Sequence, residues 1–182
     1  MRKFFLSLFE IFEVALIAVG AVVLIRSFLL QPFLVSGSSM VPNFSNGDYL
    51  LIDELTYRVR EPERGEVVVF RFPKEESVFF IKRVIGLPGE KVIIKDGAIT
   101  IVSGKNSEGF LLQEKYLQEG FRSAGSLEIP LGPREYFVLG DNRSFSYDSR
   151  SWGALAREDM VGLVRVRLWP LRTAQAFVAP EY

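Results

Sequence analysis

Lys91-Val-Ile-Ile-Lys-Asp-Gly-Ala-Ile-Thr-Ile-Val102 is the stretch that decides the fold class. Two apolar runs flank Asp96-Gly97, and this dipeptide accepts the positive φ angles that a type I′ turn demands. The segment reads as an antiparallel hairpin. Outward from it, Tyr49 to Ile52, Glu66 to Phe72 and Val78 to Ile85 are rich in Val, Ile and Phe. Each is bounded by Gly, Pro or charged residues, so each reads as a strand. Glu135 to Leu139 and Val161 to Leu168 read as two more, and Gly47-Asp48 as a turn before the first. After residue 33, helix is confined to one turn at Ala156 to Met160. Ser103 to Ile129, rich in Gly, Ser and Glu, reads as a surface excursion, and no internal repeat occurs. The expected fold is mostly β and antiparallel.

The bulk composition narrows the chemistry. The chain has 182 residues, 48% of them hydrophobic, enough for one ordinary domain plus an appendage. Lys plus Arg equals Asp plus Glu, 22 against 22, so no charge excess points to nucleic acid. Histidine and cysteine are both absent. That removes Ser-His-Asp triads, Cys-His dyads and disulfides. A zinc site would have to be built from carboxylates alone, so none is expected. Covalent hydrolysis would need another base, and a lysine stripped of its proton in an apolar site is the candidate.

Arg2 and Lys3 open the chain, and Phe4 to Leu30 is apolar apart from Glu10, Glu13 and Arg26. A bilayer core needs roughly 20 helical residues, which Ile11 to Leu30 supply. Pro32 disfavours helix in the residue before it, placing the helix end near Gln31. A cleaved signal peptide and an interfacial helix are the competing readings. The apolar run extends past Ala18-Val19-Gly20, and there is no extended polar face, so a spanning anchor is expected. The basic tip puts the N-terminus in the cytoplasm and everything after Ser36 outside.

Three segments carry the candidate chemistry. Val35-Ser-Gly-Ser-Ser-Met-Val-Pro42 holds Ser39 between Gly37, which lets backbone approach a ligand closely, and the stiffening Pro42. By itself it also reads as a Ser/Gly linker. Lys82 lies in Val78-Phe-Phe-Ile-Lys-Arg-Val-Ile85, on the strand face of Phe80 and Val84, with Arg83 on the other. One of the two cations should therefore face an apolar interior. Alternatively Lys82 guards a sheet edge. Gly140-Asp-Asn-Arg-Ser-Phe-Ser-Tyr-Asp-Ser-Arg150 is either a solvated loop or a rigid one, with Asp148 paired to Arg150 and Ser146 aiming Lys82.

Together these segments resemble bacterial type I signal peptidases, membrane serine proteases of the Ser-Lys class. Arg26 to Phe33 resembles the passage out of the membrane, and Ser39-Met40-Val41-Pro42 the nucleophile motif. Arg64-Gly65-Glu66-Val67-Val68-Val69-Phe70 resembles the family's Arg-Gly-Asp-Val-Val-Phe-type strand, with Glu in place of Asp. Ile81 to Gly89 resembles the lysine motif, and Gly140 to Arg150 the pattern Gly-Asp-Asn-Arg-x-x-Ser-x-Asp-Ser-Arg. The nucleophile motif departs at Asn43 and Phe44, where Thr and Leu are usual.

The resemblance implies Ser39 as nucleophile, Lys82 as general base and Ser146 as the lysine's partner. It implies Asp141, Arg143, Asp148 and Arg150 as structural supports. The oxyanion site would use the backbone of Ser39 and Gly37, since Gly37 replaces the hydroxyl donor some members carry. Val35, Met40, Phe44, Phe80 and Ile81 would line pockets for small residues at positions −1 and −3 of an exported preprotein. The implied plan is an anchor at 1–33, a β catalytic core at 34–86 plus 134–170, an inserted β excursion at 87–133 and a tail at 171–182 without a role. The implied setting is the outer face of the cell membrane, near the secretion translocon, with the lipid bilayer as partner. Three rivals are a soluble Ser-Lys autoprotease of the SOS-repressor type, a conjugative-pilus maturation protease and a tethered β binding module. Ser-x-x-Lys spacing, the mark of penicillin-binding enzymes, does not occur.

Overall fold

The computed structural model describes residues 10–20, 30–104, 106–117, 123 and 125–180. Residues 10–20 form helix α1, and its apolar side chains Ile11, Phe12, Val14, Leu16, Ile17 and Val19 are all exposed. Among the described residues no helix is long and apolar enough to cross a membrane. The remainder of the expected anchor, residues 1–9 and 21–29, lies outside the described residues. Its far end differs from the sequence reading. Leu30–Leu34 is strand β1, in which Pro32 pairs with Leu51. Proline is tolerated there because β1 is an edge strand.

The strands continue as β2 (Tyr49–Asp53), β3 (Val67–Phe72), β4 (Glu75–Gly86), β5 (Lys91–Lys95), β6 (Ala98–Ser103), β7 (Asn106–Leu111), β8 (Leu127–Pro130), β9 (Glu135–Leu139), β10 (Leu155–Ala156), β11 (Met160–Trp169) and β12 (Gln175–Ala176). Short helices α2 (Thr56–Val59) and α3 (Ser149–Trp152) and two 3₁₀ turns join them. The larger sheet runs β1-β2-β11-β3-β4-β9-β10, with β12 on β11; the smaller runs β7-β6-β5-β8. All pairs are antiparallel. The β5–β6 hairpin turns at Asp96 (φ 52°) and Gly97 (φ 83°), as the dipeptide predicts. The stretch Ser103 to Ile129 is richer than expected, since it supplies β7 and β8.

Three apolar clusters hold the chain. Val68, Phe70, Val84, Tyr136 and Val138 join β3, β4 and β9. Ile85, Phe137 and Leu139 meet Val92, Ile94, Ile99 and Ile101, fastening the small sheet to the large one. Met40, Phe44, Leu50, Ile52, Val67, Val69 and Val164 form the third, directly beneath the Ser39 segment. Lys82 and Arg83 are both buried, 3% and 6% exposed. Only one was expected inside. The second burial arises because Asp141 and Tyr116 cover the other face of β4.

Candidate active site

β4 carries Lys82 into the interior, and the turn after β1 carries Ser39 to meet it. The turn is closed at its base: Val35 N–H donates to Asp48 O and Gly47 N–H to Val35 O, each at 2.9 Å. At its tip Lys82 Nζ donates to Ser39 Oγ and to Ile81 O, each at 2.9 Å. Burial pushes the Lys82 ammonium down to about 8, against a smaller opposing pull from Asp148 and Asp141. The Phe80 ring, 5.0 Å from Nζ, walls the amine from water. A hydroxyl and an amine that loses its proton near pH 8 can exchange a proton at this distance.

The loop from Gly140 to Arg150 buttresses the pair. Asn142 donates from its backbone to Ser39 O (3.0 Å) and from Nδ2 to Ser38 O (3.1 Å). Asp148 accepts from Gly140 N–H (3.1 Å) and from Arg150 Nε and Nη2 (both 2.8 Å). Arg150 Nη2 also donates to Arg143 O at 2.7 Å. Arg143 pairs with Glu114 and donates to Ser123 Oγ at 2.7 Å. Asp141 takes Arg83 through both oxygens, at 2.8 and 2.6 Å. Gly140 must be glycine, because a Cβ there would lie 2.2 Å from Ser146 Oγ and 2.4 Å from Ser39 O.

Two sequence expectations need correction here. Ser146 does not hydrogen-bond Lys82; its hydroxyl is buried with no partner among the described residues. Lys82 Nζ donates to Ser39 Oγ and Ile81 O instead. The Gly37 N–H is likewise engaged, donating to Asn46 Oδ1 at 3.0 Å. The Ser39 N–H makes no hydrogen bond among the described residues, which leaves it free to face an oxyanion.

A cavity of about 320 Å³ opens on Ser39 and Lys82. Val35, Phe80 and Ile81 line it, as expected. Met40 and Phe44 do not: both are 1% exposed, turned inward to the core beneath. Met40 Sδ accepts from the Asp141 N–H there. Phe33, Phe79, Phe145 and Tyr147 were missed and line the cavity. The signal for Phe145 and Tyr147 was their place inside the polar loop, where two large aromatics have no solvation role. Phe33 and Phe79 approach edge-on at 5.5 Å, which brings β1 and the first half of β4 to face each other. Those edges do not pair with one another. A larger cavity, about 600 Å³, lies between the Arg60–Glu66 turn, β11 and the tail, and contains no nucleophile. No metal-ligating cluster occurs among the described residues.

A family profile described as signal peptidase, peptidase S26, matches residues 8–169. A probable signal peptidase I-2 of Synechocystis is 40% identical over 153 residues, 81% of this chain and 66% of that protein, just under two thirds of its length. A signal peptidase I of Bacillus licheniformis is 36% identical over 170 residues, 90% of each chain. A crystal structure of a signal peptidase I from Enterococcus faecalis overlays with a TM-score of 0.48 at 27% identity, covering 58% of this chain and 97% of that one.

Proposed function

The chain belongs to the signal peptidase family, peptidase S26, and on that premise we propose that it is a membrane-bound serine endopeptidase that removes signal peptides from exported preproteins by a Ser39–Lys82 dyad. The observation that carries the dyad is the 2.9 Å contact between Lys82 Nζ and Ser39 Oγ inside a site that lowers the lysine to about 8. The substrate enters as an extended strand between the unpaired edges of β1 and β4. Val35 and Ile81 leave shallow apolar space that rewards small side chains at −1 and −3.

In the proposed reaction neutral Lys82 takes the Ser39 hydroxyl proton as Oγ attacks the scissile carbonyl. The oxyanion faces the Ser39 N–H. The proton passes to the leaving amine, giving an acyl-enzyme on Ser39. Lys82 then activates water to release the signal peptide. Asp141, Arg143, Asp148 and Arg150 hold the loop. The apolar N-terminal segment anchors the enzyme, with its N-terminus cytoplasmic and its β core against the outer leaflet near the translocon. No metal or cofactor takes part.

The test is cleavage of a preprotein with an Ala-x-Ala site by the purified full chain in lipid. Cutting after the second Ala is expected. A folded chain that leaves this site intact overturns the reading. The dependence on pH follows from the lysine. Below about 8 Lys82 is protonated and cannot accept the Ser39 proton, so kcat/KM should climb about tenfold per pH unit up to that point and then level. A flat profile between pH 6 and 9 would rule Lys82 out as the base.

A further inference from the structure

The segment after residue 170 carries no motif, and the family profile ends at residue 169. Yet it folds back onto the Ser39 turn. β12 pairs with β11 through Val166–Ala176 and Arg167–Gln175, and Phe177 N–H donates to Arg165 O at 2.8 Å. This seats the Phe177 ring 4.5 Å from Phe44. Phe44 closes the turn that begins at Ser39, with its N–H donating to Met40 O at 2.9 Å. Arg167, 8% exposed, ties the same parts together. Its Nη1 donates to Asn43 O and Asp48 Oδ2, both at 2.9 Å, and its Nε to Thr173 O at 2.8 Å. Its guanidinium sits 5.6 Å from the Phe177 ring. Phe44, one of the two positions where the nucleophile motif departs from the usual form, is the side chain of the turn that meets the Phe177 ring.

We propose that the C-terminal segment is a strap that positions Ser39, with Phe177 as its positioning residue. The proposal rests on the reading of Ser39 as nucleophile. Phe177 acts through Phe44, whose displacement would swing the tip of the turn relative to Lys82. Lys82 itself sits on β4, to which β12 is not paired. The strap should therefore govern how well Ser39 is aimed and leave the lysine's titration alone. Misplacement of a reacting atom by about 1 Å can cost on the order of 100-fold in rate, so a tenfold loss needs a smaller shift than that.

The experiment uses the full chain in lipid with an Ala-x-Ala peptide, and compares Phe177→Ala, Phe177→Leu, Ser39→Ala and the exposed-site control Val178→Ala. Phe177→Ala should lower kcat roughly tenfold in the folded fraction with KM and the acid-limb midpoint unchanged. Phe177→Leu, which keeps apolar volume against Phe44, should recover most of that loss, and Val178→Ala should match the parent. Undiminished kcat in a less heat-stable Phe177→Ala overturns the strap, because mere packing would give that result. If Phe177→Ala does not fold, Phe177→Leu decides: a two- to threefold lower kcat at constant KM supports the strap, and an unchanged kcat sinks it. Parent-like cleavage by Ser39→Ala would instead remove the nucleophile reading beneath the proposal.

Discussion

Lys82→Met should abolish cleavage and, at pH 7, raise the melting temperature. The first half follows from the dyad. With no histidine in the chain and the nearby carboxylates of Asp141 and Asp148 held by Arg83 and Arg150, Lys82 is the base in contact with Ser39 Oγ, and loss of a general base together with the nucleophile's activation costs roughly 10⁴-fold or more in kcat. The second half follows from where the lysine sits. Its folded-state value, about 8, lies below the ordinary 10.5, so the fold penalises the ammonium. Below pH 8 the lysine is charged both folded and unfolded, and the full penalty, about 3 kcal/mol, is present. Between pH 8 and 10.5 the folded lysine is neutral and the penalty fades; above that range it is gone. Methionine matches the stem in volume and has no charge to desolvate. It forfeits the contacts to Ser39 Oγ and Ile81 O, about 1 kcal/mol each. A net gain of roughly 1 kcal/mol raises Tm by about 2–4 °C for a chain of this size. Thermal unfolding at pH 7 and pH 10 measures it: at pH 10 less than about 1 kcal/mol of the penalty remains, so the gain should turn into a loss of about 1 kcal/mol. A variant that stays active contradicts the dyad, and one that melts lower at pH 7 contradicts the desolvation argument.

The same burial marks where sequence reasoning succeeds and stops. Asp96-Gly97 specified its hairpin because the turn is local chemistry. Glu135–Leu139 was legible because its apolar run is buried almost throughout. β1 was not legible. Its residues continue the apolar run of the N-terminus, and their strand state comes from pairing with Tyr49–Asp53, a tertiary fact. β7 mixes Asn106, Glu108 and Gly109 with two apolar residues, and β8 is only four residues long, so neither is long or regular enough to announce its pairing with β6 and β5. Alternation assigned Lys82 and Arg83 to opposite faces, but only a second layer could show that both faces are covered. The pocket failed in the same way. Met40 and Phe44 are neighbours of Ser39 in sequence, and the turn points them into the core. Phe79, Phe145 and Tyr147 reach the cavity from distant segments.

The covered second face gives the other large effect. Asp141→Ala should destabilise the fold by about 3–5 kcal/mol, because it strips a buried guanidinium of its carboxylate. Asp141 is fully buried and holds Arg83 bidentately, while Oδ2 also accepts from Asn43 Nδ2 at 2.8 Å. Arg83 also donates to Gly65 O at 2.8 Å and sits 4.0 Å from the Tyr116 ring. A fall in Tm of about 10 °C is expected by circular dichroism. Replacing both partners by apolar residues, Arg83→Met with Asp141→Leu, should recover part of that loss, since much of the cost lies in burying the guanidinium without the Asp141 carboxylate rather than in the missing pair. The activity readout is separate. The Asp141 carboxylate is one of two that raise the Lys82 value, so its removal should move the acid limb of the pH profile below 8 in the molecules that remain folded. A drop in Tm under about 2 °C would mean that Arg83 finds compensation elsewhere, and an acid limb that does not move would mean that the loop's charge is not felt at the lysine.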